Sequence, residues 1–281
     1  MSDATDTIRS AIWMEEPEPD NPFAARVCRC HGYDVFGDLL GSVSWPEYWL
    51  LLFKGEMPTD VQTALLEGLA VCLASAGPRD YAIRAAMNGA VGGAHGAGVL
   101  MAALGVGAGQ LGGARDLFLA MRHWETLGED LGAWREALAN TDADEIVDAW
   151  APLEHPAGFD PHGRSCSRPV RQALSHLSRV MGEPGSLGWL ERNRDELEHA
   201  ANAPLALSGV AAAAFHDLGL NAQQGELLYL MLRLPGAAVH AIEQARFGRK
   251  DYPFWADGLE IENDPGPYTG EPGAQLEELY R

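Results

Sequence analysis

Apolar side chains recur at helical spacing along almost the whole chain, while β-branched residues are sparse and nowhere alternate for long. That pattern predicts an all-α fold. Ser44-Trp45-Pro46-Glu47 reads as a helix start with proline in the first turn, and the run over 47–53 stops at Lys54-Gly55-Glu56-Met57-Pro58-Thr59. Thr59 or Asp60 then caps a long helix through Leu65, Leu66, Leu69, Val71 and Leu73, ended by Gly77-Pro78. Residues 80–90 and 96–104 form two helices rich in Ala and Gly, whose small side chains let axes approach as in a core or a dimer interface. A Gly-rich turn over 105–113 leads into a helix over 114–127. Further amphipathic helices fit 131–140, 142–150, 168–181, 187–201, 209–218, 223–234 and 237–247. No internal repeat is visible.

Forty acidic against twenty basic residues give a formal charge of −20, which argues against a nucleic-acid partner and an anionic membrane surface. No apolar run reaches the ~18–20 residues of a membrane-spanning helix. Residues 1–22 are acidic, contain proline and lack a signal-type apolar stretch, so they read as a mobile leader. The four cysteines are too few and scattered for a disulfide scaffold, which points to a reducing cytoplasm. Cys28-Arg29-Cys30-His31 has no second ligand pair at zinc spacing, so no metal site is expected. The turn over 105–113 lacks the Gly-Lys-Ser/Thr ending of a P-loop.

Three segments in order resemble the citrate synthase superfamily. Gly32-Tyr33-Asp34-Val35 with Asp38-Leu39 and Tyr48-Trp49-Leu50-Leu51-Leu52-Phe53-Lys54-Gly55-Glu56-Met57-Pro58-Thr59 is similar to the family's opening. Gly109-Gln110-Leu111-Gly112-Gly113-Ala114 is similar to its "HGGA" turn, with Leu111 at the histidine. Arg233-Leu234-Pro235-Gly236-Ala237-Ala238-Val239-His240-Ala241-Ile242-Glu243-Gln244 resembles its "R-x-x-G-x-x-A-H-x-x-E-Q", and Pro253-Phe254-Trp255 its closing "HPW". The short length and the non-histidine turn look most like citryl-CoA lyase and the citrate-synthase-like end of ATP-citrate lyase. The resemblance implies a large helical domain (23–114 plus 205–281) with a smaller helical domain (115–204) inserted. It also implies a ligand cleft between them, coenzyme A bound as a thioester substrate, and a homodimer, with a second subunit as another possibility.

The family's main histidine lies in a "GFGH" turn. The counterpart here runs Gly158-Phe159-Asp160-Pro161-His162, with His162 one place late. His162 is either a carbonyl-polarising group or a solvated loop histidine. Arg164, Arg168 and Arg171 form a local basic cluster where the family handles CoA phosphates, and guanidinium forks suit phosphate. The family's catalytic acid aligns with Ser208 in Ala206-Leu207-Ser208-Gly209, and a serine is too weak a base to take an α-proton unaided. Arg233 matches the family's substrate-carboxylate arginine; a structural arginine bridging helices is the alternative. The family's "DHG" segment aligns with Ser75-Ala76-Gly77 and has lost both polar groups, which suggests a substrate less carboxylated than citrate. His95 in Gly93-Ala94-His95-Gly96-Ala97 ranks second as a counterpart of the "HGGA" histidine. Two functions follow as expectations. One is a lyase-type enzyme that cleaves or forms a C–C bond beside a CoA thioester, with His162 and Ser208 as catalytic groups. The other is a non-catalytic homologue serving as a partner or ligand-binding subunit.

Overall fold

The computed structural model describes residues 8–139, 155–253 and 260–268. The helix expected over 142–150 and Phe254 and Trp255 of the closing motif lie outside the described residues. By internal contact the chain separates into two compact units, Met1–Ala64 and Leu65–Arg281. The expected inserted domain, 115–204, lies within the second unit.

The first unit carries a feature that the sequence pattern did not announce. Strands β1 (Met14–Glu18), β2 (Asn21–Cys30) and β3 (Tyr33–Asp34) form an antiparallel sheet in the order β1-β2-β3. β1 lies within the stretch expected as a leader. The sheet is largely exposed, so no apolar alternation marks its strands. Glu16 pairs with Arg26 and Arg29 across the strands, each at 3.1 Å. His31 and Gly32, both at positive φ, make the two-residue turn from β2 to β3. Helix α1 (Trp45–Lys54) starts in a capping box between Ser44 and Glu47 and ends at Gly55 in the left-handed region.

Helix α2 (Asp60–Ala74) is capped by Thr59, whose hydroxyl accepts from the Gln62 N–H at 3.3 Å. Leu65, Leu66, Leu69 and Leu73 are buried, whereas Val71, expected on the same face, is exposed. Its spacing of two from Leu69 and Leu73 turns it to the opposite side of the helix.

The second unit is built around α9 (Leu207–Asp217). Val210 through Phe215 are wholly buried, a helix apolar all round and therefore central. Its four consecutive alanines, Ala211 to Ala214, allow α5 (Ala114–Leu127), α7 (Arg168–Met181) and α8 (Ser186–Ala201) to approach it. Helices α3 (Tyr81–Val91) and α4 (Gly96–Gly107) pair with each other and with α10 (Ala222–Phe247), while α6 (Leu131–Ala139) packs on α8. Trp124, Trp134 and Trp189 meet edge-on or tilted between α5, α6 and α8, with centroids 4.9 to 6.1 Å apart.

The two helices expected over 223–234 and 237–247 are one continuous helix, α10, running through Pro235. Proline forfeits one backbone hydrogen bond there. Leu232, Arg233, Gly236 and Ala237 are buried around it, and this packing holds the helix together. Gly236 lies so close to the Ala74 carbonyl that no Cβ would fit.

Candidate active site

A cavity of about 320 Å³ lies in the second unit. Its wall includes residues from the end of α2, the segment before α3, the turn before α5, the segment 159–170, the start of α9 and the middle of α10. Two antiparallel stretches form one side. Asp160 N–H donates to Pro204 O at 2.8 Å, Ala206 N–H donates to Gly158 O at 3.0 Å, and Phe159 bridges Leu205. Gly158 has φ +86°, and a Cβ there would meet Gly209 Cα at 3.0 Å. The two glycines let the turn and the start of α9 touch backbone to backbone.

This contact delivers Ser208 to a buried carboxylate. The Ser208 hydroxyl donates to Asp116 Oδ2 at 2.5 Å, and Gly158 N–H donates to Asp116 Oδ1 at 3.0 Å. Asp116, on α5, is 0% exposed, and Ser208 is 2% exposed yet lines the cavity. His155 Nε2 stands 3.7 Å from Asp116 Oδ1 and has no hydrogen-bond partner. Burial holds the nearby His123 below the ordinary imidazole range, against the opposing pull of the Asp116 charge. A hydroxyl that donates to a carboxylate can accept a proton at its oxygen while passing on its own, so Ser208 need not act unaided.

Asp116 was not foreseen. Its signal was present, because it sits four residues before Ala120 and eight before Trp124, on the apolar stripe of α5. A lone carboxylate on a core-facing stripe needs buried partners.

Arg233 is 7% exposed and lines the same cavity. Its guanidinium pairs with Asp80, donates to Gly112 O at 3.3 Å and lies 4.9 Å from the Tyr229 ring centroid. Asp80 also caps α3, accepting from Ala82 N–H at 2.9 Å and Ile83 N–H at 3.1 Å. Tyr229 donates its hydroxyl to Gly112 O at 2.9 Å. Burial pushes its phenol up to about 12, Asp116 and Asp80 raising it further and Arg233 opposing, so it stays protonated at neutral pH.

His162 also lines the cavity and is exposed, its backbone N–H donating to Asp160 Oδ1 at 2.9 Å. Thus His162, Ser208 and Arg233 share one cavity. Arg164, Arg168 and Arg171 are exposed and do not line it, although their neighbours Ser165, Ser167 and Val170 do. None of the three arginines is ion-paired among the described residues. Ser167 caps α7, accepting from Val170 N–H at 3.4 Å, so Arg168 and Arg171 stand on the first turn of that helix. His95 precedes α4 outside the cavity wall. Arg79, exposed on the wall, was not singled out from sequence.

No family model matches the sequence, and no curated protein sequence matches it. Solved structures do. Citryl-CoA lyase from Hydrogenobacter thermophilus superposes with a TM-score of 0.66 at 20% identity, over 98% of this chain and 99% of that one. The chain has the citrate synthase-like fold of citryl-CoA lyase. ATP citrate lyase from Methanothrix soehngenii, in complex with citrate and coenzyme A, superposes with a TM-score of 0.66 at 15% identity, over 91% of this chain and 41% of that one. A mutant ATP citrate lyase from Methanosaeta concilii, in complex with (3S)-citryl-CoA, gives 0.62 at 14%, over 96% of this chain and 43% of that one. Within the citryl-CoA lyase fold, the all-α expectation holds, with one small sheet added. Among the described residues no cluster of three His, Cys, Asp or Glu side chains could hold a metal ion, and no helix is long and apolar enough to cross a membrane.

Proposed function

We propose that the chain is a lyase-type enzyme acting on a CoA thioester, breaking or making the C–C bond next to it. The observation that carries this reading is the Ser208–Asp116 hydrogen bond, at the wall of a cavity that His162 also lines. In the bond-making direction, Ser208 Oγ takes a proton from the carbon beside the thioester carbonyl while its own proton passes to Asp116 Oδ2. The electron pair left behind delocalises onto the thioester oxygen, where His162 donates to it. The enolate carbon then attacks the carbonyl carbon of the second substrate, and the resulting alkoxide takes up the proton held on Asp116, returned through Ser208. Bond cleavage runs through the same steps in reverse. Tyr229 is protonated at neutral pH and donates to Gly112 O, so it is not the base.

The thioester's CoA part fits the cavity's exposed end. Arg164, Arg168 and Arg171 flank the lining residues Ser165, Ser167 and Val170, and guanidinium groups beside a helix N-terminus, with no ion pair among the described residues, suit phosphate. Exposed Met101 and Val106 on α4, with Val239 and Ile242 on α10, supply apolar surface consistent with a homodimer.

Calorimetric titration with CoA and acetyl-CoA tests the reading. The wild type is expected to bind in the micromolar range, and an Arg164→Ala, Arg168→Ala double variant to bind at least about tenfold more weakly, from the loss of two charge-assisted contacts. No binding by the wild type would leave the chain as a non-catalytic relative of the lyases that it resembles in fold.

A further inference from the structure

We infer that Asp80 neutralises Arg233 and thereby fits the buried end of the cavity to an uncharged acyl group, so the preferred substrate is a thioester whose acyl part carries no carboxylate. This rests on the CoA-thioester reading above and names the substrate class for that site. Three polar side chains of the cavity wall are nearly inaccessible: Ser208, Tyr229 and Arg233, at 2%, 3% and 7% exposure. Arg233 is the one cation among them. A buried guanidinium facing a cavity attracts a carboxylate unless its charge is already matched, and here it is matched three ways. Asp80 supplies the countercharge, Gly112 O accepts from a second guanidinium nitrogen, and the Tyr229 ring covers one face.

A substrate carboxylate at Arg233 would have to displace Asp80, leaving that carboxylate without its cation, or lie beside it, which sets two anions on one cation. Asp80 is also held from behind by the Ala82 and Ile83 N–H groups, so it does not swing away freely. The same wall carries the apolar side chains of Leu73, Leu111, Phe159, Leu205 and Leu207. The remaining charged side chains of the wall, Arg79 and Asp160, are of opposite sign, and Arg79 is exposed. The chemistry thus selects a 3-hydroxyacyl thioester with an alkyl chain, cleaved to acetyl-CoA and a neutral aldehyde or ketone: the hydroxyl proton leaves, the C2–C3 bond breaks, and C2 takes up a proton.

The test compares two ligands that differ by methyl against carboxylate, 3-hydroxyvaleryl-CoA and 3-hydroxyglutaryl-CoA, by calorimetry on the wild type and on Asp80→Asn. Asparagine keeps the helix cap while removing the countercharge. The wild type is expected to bind the alkyl ligand about tenfold or more tightly than the carboxylated one, and Asp80→Asn to erase or invert that ratio. Equal or tighter binding of the carboxylated ligand by the wild type would overturn the inference and needs no variant. An unchanged ratio in a folded Asp80→Asn would overturn Asp80 as its cause. Failure of the wild type to bind CoA or either thioester would instead overturn the thioester reading, and this inference with it.

Discussion

Replacing Ser208 with alanine removes the hydroxyl that donates to Asp116 Oδ2 and leaves a carboxylate oxygen without that donor in a side chain that is 0% exposed. A hydrogen bond to a charged group contributes about 1.5–3 kcal/mol, and a stranded buried acceptor costs a similar amount. We take about 2 kcal/mol. Unfolding entropy of about 2.1 cal/mol/K per residue, over 281 residues, gives about 0.6 kcal/mol/K, so Ser208→Ala is expected to lower Tm by about 3 °C. Asp116→Asn weakens the same bond from its other side. The double variant is therefore expected to fall short of the summed single effects by about 1 kcal/mol or more. Scanning calorimetry of the wild type, the two single variants and the double variant at pH 7 measures this. Strictly additive losses, or a Ser208→Ala protein as stable as the wild type, would refute the assignment of this hydrogen bond.

Gly209→Ala would drive a Cβ into the Gly158 carbonyl and to 2.8 Å from Leu205 Cδ1. A loss of about 1–3 kcal/mol in denaturant unfolding is expected, with reduced turnover because Gly158 is pushed off Asp116. A fully stable and active variant would contradict the close approach. For His123, burial lowers the folded-state pKa, so as pH falls below about 6.5 the unfolded chain takes up its proton first. The contribution is therefore present above that pH and is lost as pH falls through the folded-state value. Urea midpoints of the wild type are expected to drop between pH 7.5 and 5.5 more than those of His123→Phe, which keeps a ring against Trp134; equal drops would contradict the assignment.

Helices were readable from sequence because their apolar faces repeat locally, and the leucines of α2 show it. The β1-β2-β3 sheet was not, since its strands pair through their backbones on an exposed surface where no apolar alternation marks them. Nor was the continuity of α10, because Pro235 is a local stop signal that buried neighbours override. In the site, His162, Ser208 and Arg233 were picked out by their places in motifs that resemble the citrate synthase superfamily, and all three line one cavity. Partners were not. Asp80 reads locally as a helix cap, and its second role depends on a residue 153 positions away. Asp116 meets Ser208 across 92 positions, a pairing that only the packing of α5 on α9 creates.

The central claim, that Ser208 and Asp116 together move a proton at the carbon beside a thioester, can be tested without knowing the second substrate. Incubating the protein with acetyl-CoA in deuterium oxide and following the acetyl methyl signal by NMR reads that step alone. The account predicts exchange of the methyl protons for deuterium by the wild type, slowed by about 10² or more in Ser208→Ala and in Asp116→Asn. Binding of acetyl-CoA with no exchange by the wild type, or exchange undiminished in both variants, would contradict it.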